Sequence, residues 1–250
     1  MIYLTGDTHK DVDIHKLFTS KIDQLTKEDY LIILGDFGFP FLDSDISDEI
    51  LMNDLFQKER EIYQYYITLL ARFPFTILFI DGNHDNHAYW AKQPVISKFG
   101  GKVQAHKDAK NIFHLLRGEY YNIDGFTFFC MGGAVSIDKA MRIKDLTWWE
   151  EEVPSYKEME HGIDNLIAHN YQVDFILTHA MPHELIPIVL HQYYQSDEVT
   201  RYLDMIYHNT DYQYWFCGHY HEEIRNEYVK MQVLYNKIVC LNDYLKIEEN

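Results

Sequence analysis

Along the chain, short apolar runs alternate with polar, glycine-containing turns. Met1–Thr5 leads into Gly6-Asp7, Tyr30–Leu34 into Gly35-Asp36, and Phe75–Ile80 into Asp81-Gly82-Asn83. Thr127–Met131 before Gly132-Gly133, Asp174–Leu177 before Thr178-His179, and Tyr214–Cys217 before Gly218-His219 repeat the layout. Runs this short, bounded by turn residues, predict buried strands. Between them, Asp48 to Phe73 carries Ile50, Leu51, Leu55, Ile62, Tyr65, Tyr66, Leu69 and Leu70 at near-helical spacing, and Pro74 stops it. Ser155–Asn170 and Asp197–Asn209 are further helix candidates, each opening at a Ser or Asp cap and closing at an Asn. From Lys102 to Gly133 the pattern predicts hairpins, with a tight turn at Asp124-Gly125 between Tyr120–Ile123 and Phe126–Met131. The expected class is α/β, with no repeat, linker or low-complexity tract.

Length and composition narrow the picture. A chain of 250 residues with 47% hydrophobic and 16% aromatic residues is expected to fold as a single domain over 1–250. No stretch approaches the roughly 20 apolar residues of a membrane span, so no membrane partner is expected. Asp7 arrives too early for a secretory apolar region of roughly 7–15 residues, which places the expected location in the cytoplasm. Three cysteines, Cys130, Cys217 and Cys240, lie in apolar contexts without C-x-x-C spacing, and are expected to be buried reduced thiols. A formal charge of −17 disfavours nucleic acid as a partner over most of the surface. Locally the sign reverses: Lys92, Lys98, Lys102, Lys107, Lys110 and Arg117 face only Asp108 between Ala91 and Arg117. That segment is either a solvated face or a substrate-steering one.

The chemistry gathers at the turns. Asp7-Thr8-His9, Gly35-Asp36, Gly82-Asn83-His84-Asp85, Thr178-His179 and Gly218-His219-Tyr220-His221 each follow an expected strand. A sheet would bring them to the rim outside the strand carboxyl ends, where open α/β sheets bind ligands. Carboxylate, imidazole and amide donors suit Mn²⁺, Fe²⁺ or Zn²⁺, whereas Ca²⁺ would want oxygen throughout. Asp-x-His and His-x-His put alternate side chains on one side of an extended segment, so each pair can converge. Two such pairs exceed the needs of one ion.

These blocks in this order, D-x-H, G-D, G-N-H-D, a later H and G-H-x-H, resemble the calcineurin-like metallophosphoesterase superfamily from Asp7 to His221. The resemblance implies a four-layer αββα sandwich with a dinuclear metal site at the strand C-terminal ends. It assigns Asp7, His9, Asp36 and His221 to one divalent ion, and Asp36, Asn83, His179 and His219 to the other, with Asp36 bridging. Two manganese ions are the expected cofactors, with iron or zinc as alternatives. A hydroxide shared by ions about 3.5–4 Å apart would attack the phosphorus in line, and His84 would protonate the leaving oxygen or stabilise its charge. A narrower similarity, to small bacterial or phage metallophosphoesterases, rests on Leu115-Leu116-Arg117-Gly118, on Met131-Gly132-Gly133-Ala134-Val135-Ser136-Ile137-Asp138-Lys139, on Arg142 and on Trp148-Trp149-Glu150-Glu151.

One block departs from the pattern. Many of these phosphatases carry G-D-x-x-D, whose second Asp supports the G-N-H histidine, but here Gly35-Asp36 is followed by Phe37-Gly38-Phe39. Phe39 lacks the polar group for that job, so the partner of His84 is left open, with Asp85 a candidate. The expected activity is hydrolysis of a phosphate monoester or diester on a soluble nucleotide or other small phosphorylated molecule. A protein phosphatase, a nuclease and a non-catalytic scaffold are the alternatives. Arg142 is a candidate phosphate contact through charge-assisted hydrogen bonds. Trp148-Trp149 is expected to pack a lid or core. His15, His106, His161 and His208 are expected to be structural or surface residues, and His87, close to the site in sequence, is left open.

Overall fold

The computed structural model describes residues 1–40 and 54–245. Seven strands form the first sheet: β1 (Ile2–Thr5), β2 (Tyr30–Leu34), β3 (Thr76–Ile80), β4 (Val95–Lys98), β5 (Gly101–Ala105), β6 (Ile112–Leu115) and β13 (Val239–Cys240), in the order β13-β1-β2-β3-β6-β5-β4. Six form the second: β7 (Tyr120–Ile123), β8 (Phe126–Met131), β9 (Phe175–Thr178), β10 (Tyr214–Cys217), β11 (Ile224–Asn226) and β12 (Met231–Val233), in the order β11-β12-β10-β9-β8-β7. The central strands β1, β2, β3 and β6 of one sheet run parallel, as do β8, β9, β10 and β12 of the other.

The central strands read as unbroken apolar runs because both of their faces are covered. Along β2, Ile32 and Leu34 face the space between the sheets, while Leu31 and Ile33 face outward. Along β10, Tyr214 and Phe216 face inward, and Trp215 and Cys217 outward. Ile2, Leu4, Leu78, Ile80, Phe128, Cys130, Phe175 and Leu177 complete the inter-sheet core. Outside the first sheet lie the helix Asp54–Leu70, through Ile67 and Leu70, the 3-10 turns Ile14–Leu17 and Ile22–Gln24, and the short helix His87–Trp90. Outside the second lie the helices Tyr156–Ala168 and Glu198–Asn209, through Leu166, Val199, Tyr202, Leu203 and Ile206. Helices outside two face-to-face sheets make four layers, αββα, as expected.

Local chemistry explains most boundaries. Ser155 caps the helix that follows it in a capping box with Glu158, and Asp197 does the same with Thr200. Asp124 and Gly125 both take positive φ, 52° and 86°, the requirement of a two-residue hairpin turn of the I′ kind, and Ile123 pairs with Phe126 across it. Residues 48–53 of the first expected helix lie outside the described residues. One expectation is corrected: Cys130 and Cys217 are buried, but Cys240 is only partly so, because it sits on the two-residue edge strand β13. All three thiols are free. Among the described residues, no helix is long and apolar enough to cross a membrane.

Candidate metal centre

Strand register sets the site. Thr5 pairs with Ile33 and Leu34 with Ile80, so Gly6-Asp7, Gly35-Asp36 and Asp81-Gly82-Asn83 leave the first sheet side by side. Met131 and Cys217 both pair with Thr178, so Gly132, His179 and Gly218 leave the second sheet at one level. The two rims meet where the His179 imidazole donates through Nδ1 to the Leu34 carbonyl, 2.8 Å away. Glycine is required at that approach: a Cβ on Gly35, whose φ is +94°, would collide with the His179 ring, and one on Gly82 would collide with the Asp36 carboxylate. His9, Asp36, His219 and His221 themselves take positive φ, from 38° to 68°. Asp and His tolerate that region better than most residues, yet it costs energy and recurs at functional sites.

All seven expected ligands come together. Asp7, His9 and His221 offer donor atoms within 4.8 Å of one another, as do Asp7, Asp36 and His179. Asp7 Oδ2 lies 3.2 Å from His221 Nε2, and His9 Nε2 lies 3.2 Å from Asp36 Oδ2. The same Asp36 oxygen is 3.3 Å from His179 Nε2, and Asn83 Oδ1 is 3.1 Å from both His179 Nε2 and His219 Nδ1. Asp36 thus stands between two half-sites, His9, Asp7 and His221 on one side, and His179, Asn83 and His219 on the other. Its second oxygen is taken by the His84 backbone N–H at 2.7 Å.

These contacts are arranged around positive charge, which a metal ion or an added proton supplies. With the proton of His179 given to Leu34 from Nδ1, Nε2 of the neutral ring carries a lone pair, and it faces the oxygens of Asp36 and Asn83, which are acceptors as well. His9 is held the same way, its Nδ1 2.7 Å from Asp13 Oδ2, leaving Nε2 toward Asp36. Acceptors converging on acceptors need a cation between them, and a ligating imidazole with its other nitrogen tied down is the usual support. Without an ion, protons take the cation's place. Burial pulls the His179 imidazole down, but Asp36 and Asp7 outweigh it and hold it up at about 10; His9, opposed in the same way, stands at about 9. Burial, and then His179, push His219 down to about 4. The fully buried Asp7 and Asp36 demand positive charge, which protons or metal ions can supply.

His84 shares a cluster with His9 and Asp36, but its ring nitrogens are covered. Arg142 Nη1 lies 2.9 Å from His84 Nδ1, and Nη2 lies 3.0 Å from Nε2, while Nη2 also donates to Asp138 Oδ2 at 2.7 Å. The histidine's open partner is therefore Arg142, steadied by Asp138. Asp85 does a different job: its buried carboxylate accepts from the N–H groups of Gly38 and Gly82, both at 2.7 Å, and burial followed by Asp36 raises it to about 6. Phe39 is fully buried in the outer aromatic layer with Phe37, Tyr63 and Tyr66. His87 contacts the Gly82 carbonyl at 3.1 Å, and His161 and His208 contact Glu119 and Glu184. Trp149 is buried. In the basic segment, Arg117 is buried against Asp81 and takes no part in any steering face. Asp13 was not among the expected residues; it lies four positions after His9 in a turn with no periodic signal.

Residues 1–223 match the calcineurin-like phosphoesterase family. The chain belongs to that family. Membership in the calcineurin-like phosphoesterases, which use dinuclear metal centres, supports a metal-dependent phosphoester hydrolase with Asp and His clusters able to hold metal. None of the curated proteins matches the chain. Among solved structures, it is similar to a Staphylococcus aureus protein assigned as a 5'-nucleotidase and solved in complex with α-ketoglutarate. That similarity has a TM-score of 0.43 and 14% identity, and covers 94% of this chain and 48% of the other. The chain thus spans about half the length of that protein.

Proposed function

We propose that this chain is a two-metal hydrolase of small phosphate esters, in which Asp7, His9, Asp36 and His221 hold one divalent ion, and Asp36, Asn83, His179 and His219 hold the other. The observation that carries the proposal is Asp36 Oδ2, set 3.2 Å from His9 Nε2 and 3.3 Å from His179 Nε2, between the two sets of candidate ligands. Mn²⁺ is the favoured ion, with iron or zinc next, because the donors mix carboxylate, imidazole and amide. When bound, such ions supply Lewis acidity toward phosphate oxygens and lower the pKa of water toward neutrality. Asp36 and Asp7 supply the countercharge, and Asp13 and the Leu34 carbonyl keep His9 and His179 in their ligating tautomers. His84 is the group to give the leaving oxygen a proton, once substrate draws Arg142 off one of the two ring nitrogens it covers. Burial, and then Arg142, lower its pKa, with Asp36 opposing, so a proton on that ring is more readily given up. A neutral imidazole has one acceptor nitrogen, so only one of the two Arg142 groups facing it can donate to it. The other N–H also points at the ring, and Nη2 is held by Asp138 as well, so Arg142 is kept as a substrate contact only by its nearness to His84.

A cavity of about 400 Å³ opens beside Asp36, Asn83, His84, His219 and His221. Val135, Ile137, Ala180 and Ile186 give it an apolar wall, Tyr194 and Tyr220 an aromatic one, and none of the described lining residues is Lys or Arg. This supports a small ester with an uncharged organic group, such as a mononucleotide or aryl phosphate, over an oligonucleotide or a polyphosphate chain. Hydrolysis of phosphomonoesters, phosphodiesters, dinucleoside polyphosphates and oligonucleotides, measured with Mn²⁺ and again after chelation, tests the reading. Metal-dependent turnover of the small esters is expected. Turnover that survives complete chelation, or none with any ester at any metal, would refute it.

A further inference from the structure

The Asn83 side chain has two chemically different ends, and which end faces the metal positions decides whether it can be a ligand. Its carboxamide lies between Ser136 on one side and His179 with His219 on the other. Ser136 Oγ is 2.6 Å from Glu152 Oε2, and the Ser136 backbone N–H donates to Glu152 Oε1 at 2.8 Å. A carboxylate only accepts, so the single hydroxyl proton of Ser136 is committed to Glu152. Toward Asn83, at 3.0 Å, Ser136 Oγ can then only accept, and the amide end facing it must be Nδ2. The other end, Oδ1, is left facing His179 Nε2 and His219 Nδ1.

A turned amide would present its NH₂, and no oxygen, toward His179 and His219 and so toward an ion. Glu152, Ser136 and Asn83 are 1%, 3% and 4% exposed, so water competes little for these bonds. The base of the relay is itself tethered: Arg117 Nη2 donates to the Glu151 and Glu152 carbonyls, and the Gly133 N–H donates to the Asp81 carbonyl at 2.8 Å. Glu152 follows Trp148-Trp149-Glu150-Glu151 and Ser136 closes Gly132-Gly133-Ala134-Val135, so the relay joins two stretches with no part in the ligand set.

We infer that Glu152, acting through Ser136, is a positioning residue that fixes the Asn83 amide with its oxygen toward His179 and His219 and so presets one of the two metal positions. The inference rests on the two-ion reading above. Glu152→Gln is the sharpest test, because the isosteric amide must present its NH₂ either to a backbone N–H, which it repels, or to Ser136 Oγ. The second choice reverses the Ser136 hydroxyl, which then donates to Asn83 and turns its amide over. Calorimetric titration of metal-free protein with Mn²⁺, together with electron paramagnetic resonance of the loaded protein, reads the effect. One ion should bind roughly 10–100-fold more weakly, the usual scale for losing an outer partner of a ligand, while the other is unchanged. The spin-coupled signal of a manganese pair should give way to that of isolated ions, and the unfolding midpoint of metal-free protein should hold. Two ions bound as in the unaltered chain, or both weakened together with a lowered metal-free midpoint, would overturn the inference. If Glu152→Gln does not fold, Ser136→Ala, which removes the acceptor for Nδ2, is judged by the same criteria. An unaltered chain that takes up fewer than two ions would instead overturn the metal reading, and the relay with it.

Discussion

Arg117 offers a prediction whose size can be worked out from its contacts. Its guanidinium is buried and donates through Nε to Asp81 Oδ2 at 2.8 Å, through Nη2 to the same oxygen, and through Nη2 to the Glu151 carbonyl at 2.8 Å. Among the described residues, Asp81 keeps one other charged-capable neighbour at hydrogen-bond distance, His114 Nε2 at 3.0 Å. Arg117→Met preserves much of the side-chain bulk but strands a buried carboxylate and two carbonyls. Breaking a buried pair from one side costs about 3–5 kcal/mol. For a chain of this size that corresponds to a fall of roughly 6–20 °C in Tm, at about 2–4 °C per kcal/mol. Burial pushes the Asp81 carboxyl up, but Arg117 and His114 outweigh it and hold it well below the ordinary carboxylate range. A depressed carboxylate stabilises the fold above its unfolded pKa and loses that contribution as pH falls, so the gap between the two proteins should begin to narrow below about pH 5. Adding Asp81→Asn should recover at least half of the loss, since the stranded charge is gone. Urea unfolding at fixed metal concentration from pH 7 to pH 4 measures both. A loss under about 1 kcal/mol at pH 7, far below the scale for a buried pair, or a gap that widens with acid, would refute the reasoning.

His84→Ala should retain metal, measured by elemental analysis, and lose about 10²–10⁴-fold in rate on alkyl phosphates; the loss should be smaller for nitrophenyl esters, whose leaving groups need little protonation. Arg142→Ala should raise KM and also lower kcat, because the side chain lies against both ring nitrogens of His84, which lines the cavity, and Arg142→Lys should restore neither in steady-state assays, because a single ammonium lacks the planar fork. Ser155→Ala removes a helix cap that bonds Glu158 and none of the proposed ligands, so it should cost about 1 kcal/mol in urea unfolding and leave kcat/KM unchanged.

Strand ends, glycine turns and the polar blocks that follow them were legible because parallel strands buried on both faces leave continuous apolar runs, and because polar residues at their ends stand out against them. The hairpin at Asp124-Gly125 was legible from turn chemistry alone. The strands β4 and β11 were not: Val95 and Ile96 on β4 are 53% and 40% exposed, and Ile224–Asn226 carries no apolar run. Arg117 looked like part of a basic face because charge runs in sequence carry no information about the partner, and Asp81 lies in another element. The partner of His84 was hidden for the same reason. Arg142 lies 58 positions away, in a loop that only the fold brings back. Sequence spacing tells which residues share a strand end, whereas outer contacts such as Asp13 on His9 or Glu152 on Ser136 depend on loop conformation.

The most direct test of the account is the metal content of the purified chain and of its Asp36→Asn variant, measured by calorimetric titration with Mn²⁺ after exhaustive chelation. Two ions per chain are predicted for the unaltered protein. Because Asp36 Oδ2 faces His9 on one side and His179 on the other, Asp36→Asn should weaken both sites together. A single tightly held ion, with affinity untouched by Asp36→Asn, would contradict the account.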